Sequence, residues 1–375
     1  MIRKMIYIKY IVLLPFTIIY GIIIWIRNRL FDFHILPTNE YSIPVISVGN
    51  ITVGGTGKTP HVEYLIKLLK DEYKVAVLSR GYKRKTKGFF IATEKPTPAE
   101  IGDEPCQIKN KFPDIIVAVD GKRRRGISKL LDNFPNLNAI ILDDAFQHRY
   151  VKPGISILLV DYNNPLKNDH LLPAGRLREQ IAERKRADII IVTKCPDNIK
   201  PIDFRLIEKD LKTSEYQRIF YSNVKILDPK PIFIANQKVP KIEEIIEMQP
   251  EIIAISGLAN NDNFIKQIHT LTNNTIHIFR FPDHYDYSVK DLHEIIELFS
   301  ELESNNKIIL TTEKDAMKIQ SFPNIDEDVK NAMYYLPIEV VFTENEKDIF
   351  NTYIKNYVHN NRPDSVLHNP NLKKK

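Results

Sequence analysis

Gly54, Gly55, Thr56, Gly57, Lys58, Thr59 and Pro60 follow one another inside the stretch SVGNITVGGTGKTPHVEYLIKLL, Ser47 to Leu69. These residue types in this order suit a bound phosphate. Glycines let backbone N–H groups approach phosphate oxygens, and a helix N-terminus adds partial positive charge. In that setting Lys58 is expected to reach the β- and γ-phosphates of a nucleotide, and Thr59 to offer its hydroxyl to Mg²⁺. Pro60 suits a first helical turn, where its missing N–H costs nothing. The loop departs from the usual pattern at its start, where Thr52 stands in place of glycine. The Gly54–Gly55 pair can supply the flexibility instead. A glycine-rich turn that only closed a strand–helix unit would need neither Lys58 nor Thr59.

The second half of such a site is an acidic group that grips Mg²⁺ directly or through water. AIILDDAFQHR supplies it: Ile140, Ile141 and Leu142 read as strand, with Asp143 and Asp144 at its C-terminal tip. Ligands collect at that edge of a parallel sheet. Two adjacent carboxylates there repel each other unless a cation joins them; a solvated strand-end pair is the alternative. His148 closes the same stretch and can orient a phosphate or simply pack. Asp103 and Glu104 lie in IGDEP, a turn by composition. Taken alone, an exposed acidic turn accounts for them. Basic residues cluster in RGYKRKTKG, from Arg80 to Gly88, and in KRRR, from Lys122 to Arg125. Such clusters favour phosphorylated ligands, anionic lipid or nucleic acid, against the alternative of a solvated charged face.

Elements must carry these groups to one place. IPVISVGN, YKVAVLSRG, DIIVAVDG, NAIILDDAF, ISILLVDY and ADIIIVTK are short, β-branched and mostly apolar. That marks strands buried on both faces of a parallel sheet. Val62, Leu65, Ile66 and Leu69 make the stretch after the loop an amphipathic helix. Together they predict an α/β fold built on a phosphate-loop NTPase-type parallel sheet. After about residue 200 the pattern resumes with EIIAISGLAN, TIHIFRFPDH, KIILTTEKDA and LPIEVVF. A second, smaller α/β domain is therefore expected. Between them, Pro201 to Glu251 holds few clear strands and several prolines. The expected parts are an N-terminal helix over 1–30, a phosphate-loop core over 31–200, a second domain over 201–358, and a polar disordered tail over 359–375.

The 375 residues suffice for one large or two medium α/β domains, and 43% apolar with 27% charged residues suits a folded globular chain. Cys106 and Cys195 are too few for a disulfide framework or a metal site, so a reducing compartment and buried packing roles are expected. Tyr10 to Ile26 is a run of 17 residues without a charge, flanked by Arg3, Lys4, Lys9, Arg27 and Arg29. As a helix it would be about 25 Å long, just short of the hydrocarbon core of about 30 Å. No small-x-small cleavage site follows, which argues against a signal peptide. Basic residues at both ends suit a helix lodged in one leaflet among anionic headgroups. A buried core helix is the alternative.

Among phosphate-loop proteins, partner-switching ATPases often carry a second lysine where this chain has Val53. GTPases read guanine through N-K-x-D; IVTKCPDN comes near with Lys194, but Pro196 occupies the aspartate position. ATP is therefore the expected nucleotide. A membrane-tethered ATPase or GTPase switch that works by binding partners is the competing reading. GNITVGGTGKTP, LSRGYKRKTKG, GDEP, DDAFQHR, LLPAGRLRE, FPDHYDY and TTEKDAMK occur in this order between Val45 and Lys318. In this the chain resembles the lipid A 4′-kinase (tetraacyldisaccharide 4′-kinase) family.

The resemblance implies transfer of the ATP γ-phosphate to the 4′-hydroxyl of an acylated glucosamine disaccharide 1-phosphate. It places the enzyme at the cytoplasmic face of the inner membrane, with the N-terminal run as the membrane-associating helix. Asp143 and Asp144 match the family's Mg²⁺-binding acidic pair. Asp103 matches its candidate base, His284 the histidine that partners that base, with Asp283 a rival, and Arg176 its phosphate-neutralising arginine. Arg80, Glu104 and His148 are expected on the substrate side. The family reads D-D-G-F-Q-H where this chain has Ala145, which raises the question of a left-handed backbone there. With a lipid as acceptor, no nucleic-acid partner is expected, and a monomer is expected to suffice.

Overall fold

The computed structural model describes residues 2–233, 239–258, 261–283, 285–304, 306–322, 325–343 and 346–362, and of residues 2–11 and 168 the backbone alone. Its strands are β1 (Val45–Gly49), β2 (Val75–Ser79), β3 (Phe90–Ile91), β4 (Ile116–Val119), β5 (Ala139–Asp143), β6 (Ile155–Asp161), β7 (Ile189–Thr193), β8 (Arg218–Ile226), β9 (Lys230–Pro231), β10 (Glu251–Ser256), β11 (Ile276–Arg280), β12 (Lys307–Thr312), β13 (Met333–Leu336) and β14 (Ile338–Phe342). A nine-stranded sheet runs in the order β14-β8-β7-β6-β1-β5-β2-β4-β3. From β8 through β4 its neighbours pair in parallel, and β3 is antiparallel to β4.

The apolar runs explain this sheet. Alternate residues of a strand face opposite sides, and here both sides are covered. Ile46 and Val48 pack with Val62, Leu65, Ile66 and Leu69 of the helix after the loop, while Val45 packs with Ile127 and Leu130 on the other face. The pairing of Val48 with Asp143 fixes the register that brings the tip of β5 beside the end of β1. β1 lies between β5 and β6, so its C-terminal end opens where the flanking connections part, the usual ligand edge of such sheets.

Five helices carry or adjoin the candidate residues: α1 (Ile2–Asp32), α2 (Lys58–Leu69), α3 (Pro98–Ile101), α4 (Asp103–Lys111) and α5 (Arg123–Asn133). On α1 the side chains of Val12, Phe16, Ile19, Ile23 and Trp25 are exposed, with Phe31 buried. These exposed apolar side chains do not fit the buried-core-helix alternative.

The chain divides into two compact units, Met1–Asn223 with Val340–Lys375, and Val224–Glu339. In the second, β11-β10-β12-β13-β9 form a five-stranded sheet. This division corrects the expected domain ends at 200 and 358. β8 escapes a reading of the sequence because RIFYSNVKI is neither a continuous apolar run nor a regular alternation, and it pairs with β7. LPIEVVF, expected in the second domain, supplies β14 of the first sheet. The last helix runs Glu346–Asn361, past the expected start of the tail; residues 363–375 lie outside the described ones.

Candidate active site

The phosphate loop follows β1 directly and α2 begins at Lys58. Gly54 and Gly57 take left-handed φ angles of 111° and 88°, which a side chain would resist. Thr52, standing where the pattern has glycine, needs no such freedom. It sits in an antiparallel bridge opposite Leu177. Val53 N donates to Arg176 O at 2.7 Å, and Arg178 N to Ile51 O at 2.7 Å. The LLPAGRLRE segment is therefore stitched to the loop's first residues, and the departure at Thr52 has a structural use.

Asp143 ends β5 and is fully buried. Its Oδ2 accepts from Ser79 Oγ at 3.0 Å, whereas its buried Oδ1 accepts nothing among the described residues. Burial, then the Glu104 and Asp144 carboxylates, push its carboxyl up to about 7, against the pull of Lys58 and the Ser79 hydroxyl. A buried carboxylate oxygen without a partner is costly, and a divalent cation is the partner that such a group fits. Asp144 adopts a left-handed φ of 45°, which turns it to a different set of contacts. Lys58 Nζ lies 3.8 Å from its Oδ1, and Arg178 Nη1 lies 3.1 Å from its Oδ2. Burial opposes its charge, but Lys58 and Arg178 outweigh burial and hold it below the usual carboxylate range.

Among the described residues no cluster of three or more His, Cys, Asp or Glu is placed for a metal. Two carboxylates and the Thr59 hydroxyl are fewer donors than a dedicated cage. They suit Mg²⁺, which keeps waters and takes further ligands from nucleotide phosphates. The question over Ala145 closes here as well: the left-handed residue is Asp144, and Ala145 is buried with its N–H on Val48 O at 3.3 Å.

Asp103 and Glu104 open α4, so the expected turn is a helix start. Gly102 before them has a φ of 93°, and a Cβ there would lie 2.8 Å from Tyr82 O. That close approach seats the GDEP motif on the RGYK motif. Burial first, and then a smaller push from the Arg80 guanidinium, lowers Arg123 and His148, and Glu104 adds to the burial that raises Asp143, so these side chains share one electrostatic neighbourhood. His148 is half-buried; burial, then Arg123 and Arg80, lower it to about 4, which makes it a neutral hydrogen-bonding group at pH 7.

Arg176 is not with this group. Its Nε lies 2.9 Å from Asp169 Oδ2, and the side chain is 44% exposed. Arg178 holds Asp144 instead. The sequence reading also misses Arg123, which is buried and donates to Asp120 O at 2.6 Å and Asp143 O at 2.9 Å. Its position just after β4, at the ligand edge, is the available signal; KRRR read as one basic cluster for anionic ligands does not single it out. His284 lies outside the described residues. In the second unit, Asp283 pairs with Lys314 at 2.8 Å. Asp315 of TTEKDAMK is buried, accepting from Thr312 Oγ1 at 2.7 Å and Gly257 N at 2.9 Å.

A family model described as tetraacyldisaccharide-1-P 4'-kinase (LpxK) matches residues 9–358. The chain belongs to this kinase family. A tetraacyldisaccharide 4'-kinase of Phocaeicola vulgatus is 47% identical over 355 residues, covering 94% of this chain and 96% of that protein. Another, of Flavobacterium johnsoniae, is 40% identical over 350 residues, covering 93% and 97%. The crystal structure of LpxK from Aquifex aeolicus in complex with ATP superposes with a TM-score of 0.70 at 33% identity, covering 92% of this chain and 98% of that one. As a tetraacyldisaccharide 4'-kinase the chain is a phosphotransferase of lipid A biosynthesis, and the partner-binding switch is set aside. The expected phosphate-loop fold stands with it.

Proposed function

We propose that this kinase binds ATP on the phosphate loop and passes its γ-phosphate to the 4′-hydroxyl of the acylated disaccharide 1-phosphate, at the cytoplasmic face of the inner membrane. The observation that carries the reading is Asp143. Its buried, unpartnered Oδ1 lies in the same group as Lys58, Asp144 and Arg178, at the mouth of the loop. Asp143, Asp144 and Thr59 would hold Mg²⁺, which neutralises charge on the phosphates when bound.

The chain's own residues do the rest. Lys58 leaves Asp144 for the transferred phosphoryl group, and Arg178 takes the neutralising role first expected of Arg176. Gly54, Gly55, Thr56 and Gly57 offer backbone donors, with Pro60 inside the first turn of α2. Asp103 takes the proton of the 4′-hydroxyl as that oxygen bonds to phosphorus, while the bond to the β–γ bridging oxygen breaks and ADP leaves. His284 supports that base. Arg80, Glu104 and His148 face the acceptor. The exposed apolar side of α1 lies in the lipid surface that presents the substrate, and one chain supplies every residue assigned.

The test is Lys58→Ala, assayed with ATP, Mg²⁺ and detergent-dispersed acylated disaccharide phosphate. Transfer should fall by about 10²–10³-fold or more, the scale of losing one transition-state charge partner, with unchanged circular dichroism. Near-normal turnover by a folded variant would remove the assignment.

A further inference from the structure

Three successive carbonyls of the phosphate loop are each held by a side chain with no part in gripping ATP, Mg²⁺ or the acceptor. Lys194 Nζ donates to Gly55 O and pairs with Asp161 Oδ2 at 2.8 Å. Thr193 Oγ1 donates to Thr56 O at 3.0 Å. His61 Nδ1 lies 2.7 Å from Gly57 O, and its Nε2 lies 3.0 Å from Ser222 Oγ. A carbonyl only accepts, so Nδ1 carries the hydrogen and Nε2 accepts from the Ser222 hydroxyl. His61, Thr193 and Ser222 are all buried. The five side chains come from the end of β6 (Asp161), the end of β7 and the residue after it (Thr193, Lys194), the middle of β8 (Ser222) and α2 (His61), and the three strands all lie on one flank of β1.

The geometry of the peptide gives this arrangement a consequence. In a trans peptide the C=O of one residue and the N–H of the next point opposite ways. Fixing Thr56 O toward the end of β7, and Gly57 O toward α2, where it also takes the helix bond from His61 N at 3.2 Å, therefore aims the N–H groups of Gly57 and Lys58 the opposite way, to the phosphate side of the loop. At Gly55 the same hold locks a tight turn, in which Thr56 N donates to Gly54 O at 3.1 Å. Lys194 itself has a left-handed φ of 58°, a conformation lysine rarely adopts, and this bend lies between the end of β7 and the loop it reaches. The lysine of IVTKCPDN, left over once Pro196 removes guanine recognition, thus has an occupation. Burial keeps His61 neutral, lowering it to about 4.

We propose that Lys194, Thr193 and His61 are positioning residues that hold the loop's carbonyls and so pre-set its N–H groups for a nucleoside triphosphate. The proposal rests on the kinase reading, and its test separates the two. The full chain in detergent is titrated with ATP and, separately, with inorganic tripolyphosphate, which has no base or sugar. Lys194→Met and His61→Leu should each weaken both ligands by the same factor, about tenfold, the scale of one well-made hydrogen bond. KM for ATP should rise in parallel, with KM for the lipid acceptor unchanged. His61→Asn, which keeps a donor at the Nδ1 position, should recover binding to within about twofold of the unaltered protein. Lys194→Met leaves the mostly buried Asp161 carboxylate without its cation, so its fold is checked by circular dichroism, and Lys194→Met combined with Asp161→Asn, which removes both charges of the pair, keeps the proposal testable if a single variant fails to fold. Unaltered tripolyphosphate binding in Lys194→Met would overturn the positioning role. So would a loss confined to ATP, which would put Lys194 on the base, or an Asn variant as weak as Leu. An unaltered protein that bound neither ligand and transferred no phosphate would instead overturn the kinase reading beneath it.

Discussion

Two arginines two positions apart differ in what they touch. Arg178 contacts Asp144, whereas Arg176 contacts Asp169 away from the acidic pair. Arg178→Ala should therefore lower kcat by about 10²–10³-fold, and Arg176→Ala by less than about tenfold. Steady-state kinetics on both variants decides, and equal losses would return the role to Arg176. The thiols make a second residue-scale case. Burial pushes Cys106 up to about 11 and Cys195 up to about 12, so neither carries appreciable thiolate at pH 8. A thiol reagent at that pH should modify neither in the folded protein and both in denaturant, read by mass spectrometry.

At the scale of elements, α1 is more than a tether. Tyr20 Oη donates to Arg178 O at 2.8 Å, Ala174 N donates to Thr17 Oγ1 at 3.1 Å, and Arg27 lies 3.5 Å from Glu179. The same 174–179 segment is stitched to the phosphate loop through Ile51 and Val53. The helix with the exposed apolar face thus props the loop that holds Asp144. Tyr20→Phe removes a single hydrogen bond, worth about 1 kcal/mol, and leaves the apolar surface as it was. Vesicle flotation should be unchanged while kcat falls severalfold. Loss of flotation with kcat intact would mean that the helix only anchors.

For the whole molecule, the proposed base and its partner belong to different compact units of one chain. Asp103 lies in the first, and the sequence position of His284 falls within the second. Their proposed cooperation is a kinetic matter. Each single substitution, Asp103→Ala or His284→Ala, should lower kcat by about 10²–10⁴-fold with ATP affinity little changed. The double variant should be hardly worse than the poorer single one, because residues that act together are not additive. Multiplicative losses in a double-mutant cycle would show two independent residues.

Much of the fold and of the proposed nucleotide site is legible in the chain because it is written locally. A phosphate loop needs its glycines, lysine and threonine in consecutive order, and a buried parallel strand needs a short apolar run. Gly54 to Thr59, Asp143 with Asp144, and ten strands can therefore be read without coordinates. β8 cannot, since its short apolar stretch, Ile219 to Tyr221, is interrupted by polar residues and becomes a strand only where β7 pairs with it. Nor can the membership of β14, because an apolar run does not say which sheet it joins. The choice between Arg176 and Arg178 and the inward turn of Arg123 depend on side-chain direction, which the fold sets after the elements are placed. Likewise the hold on Gly55, Thr56 and Gly57 comes from residues 139, 137 and 4 positions away. Local order determined what the loop is made of; packing at the sheet edge decided which side chains support it, because only there do distant strand ends come within hydrogen-bonding distance.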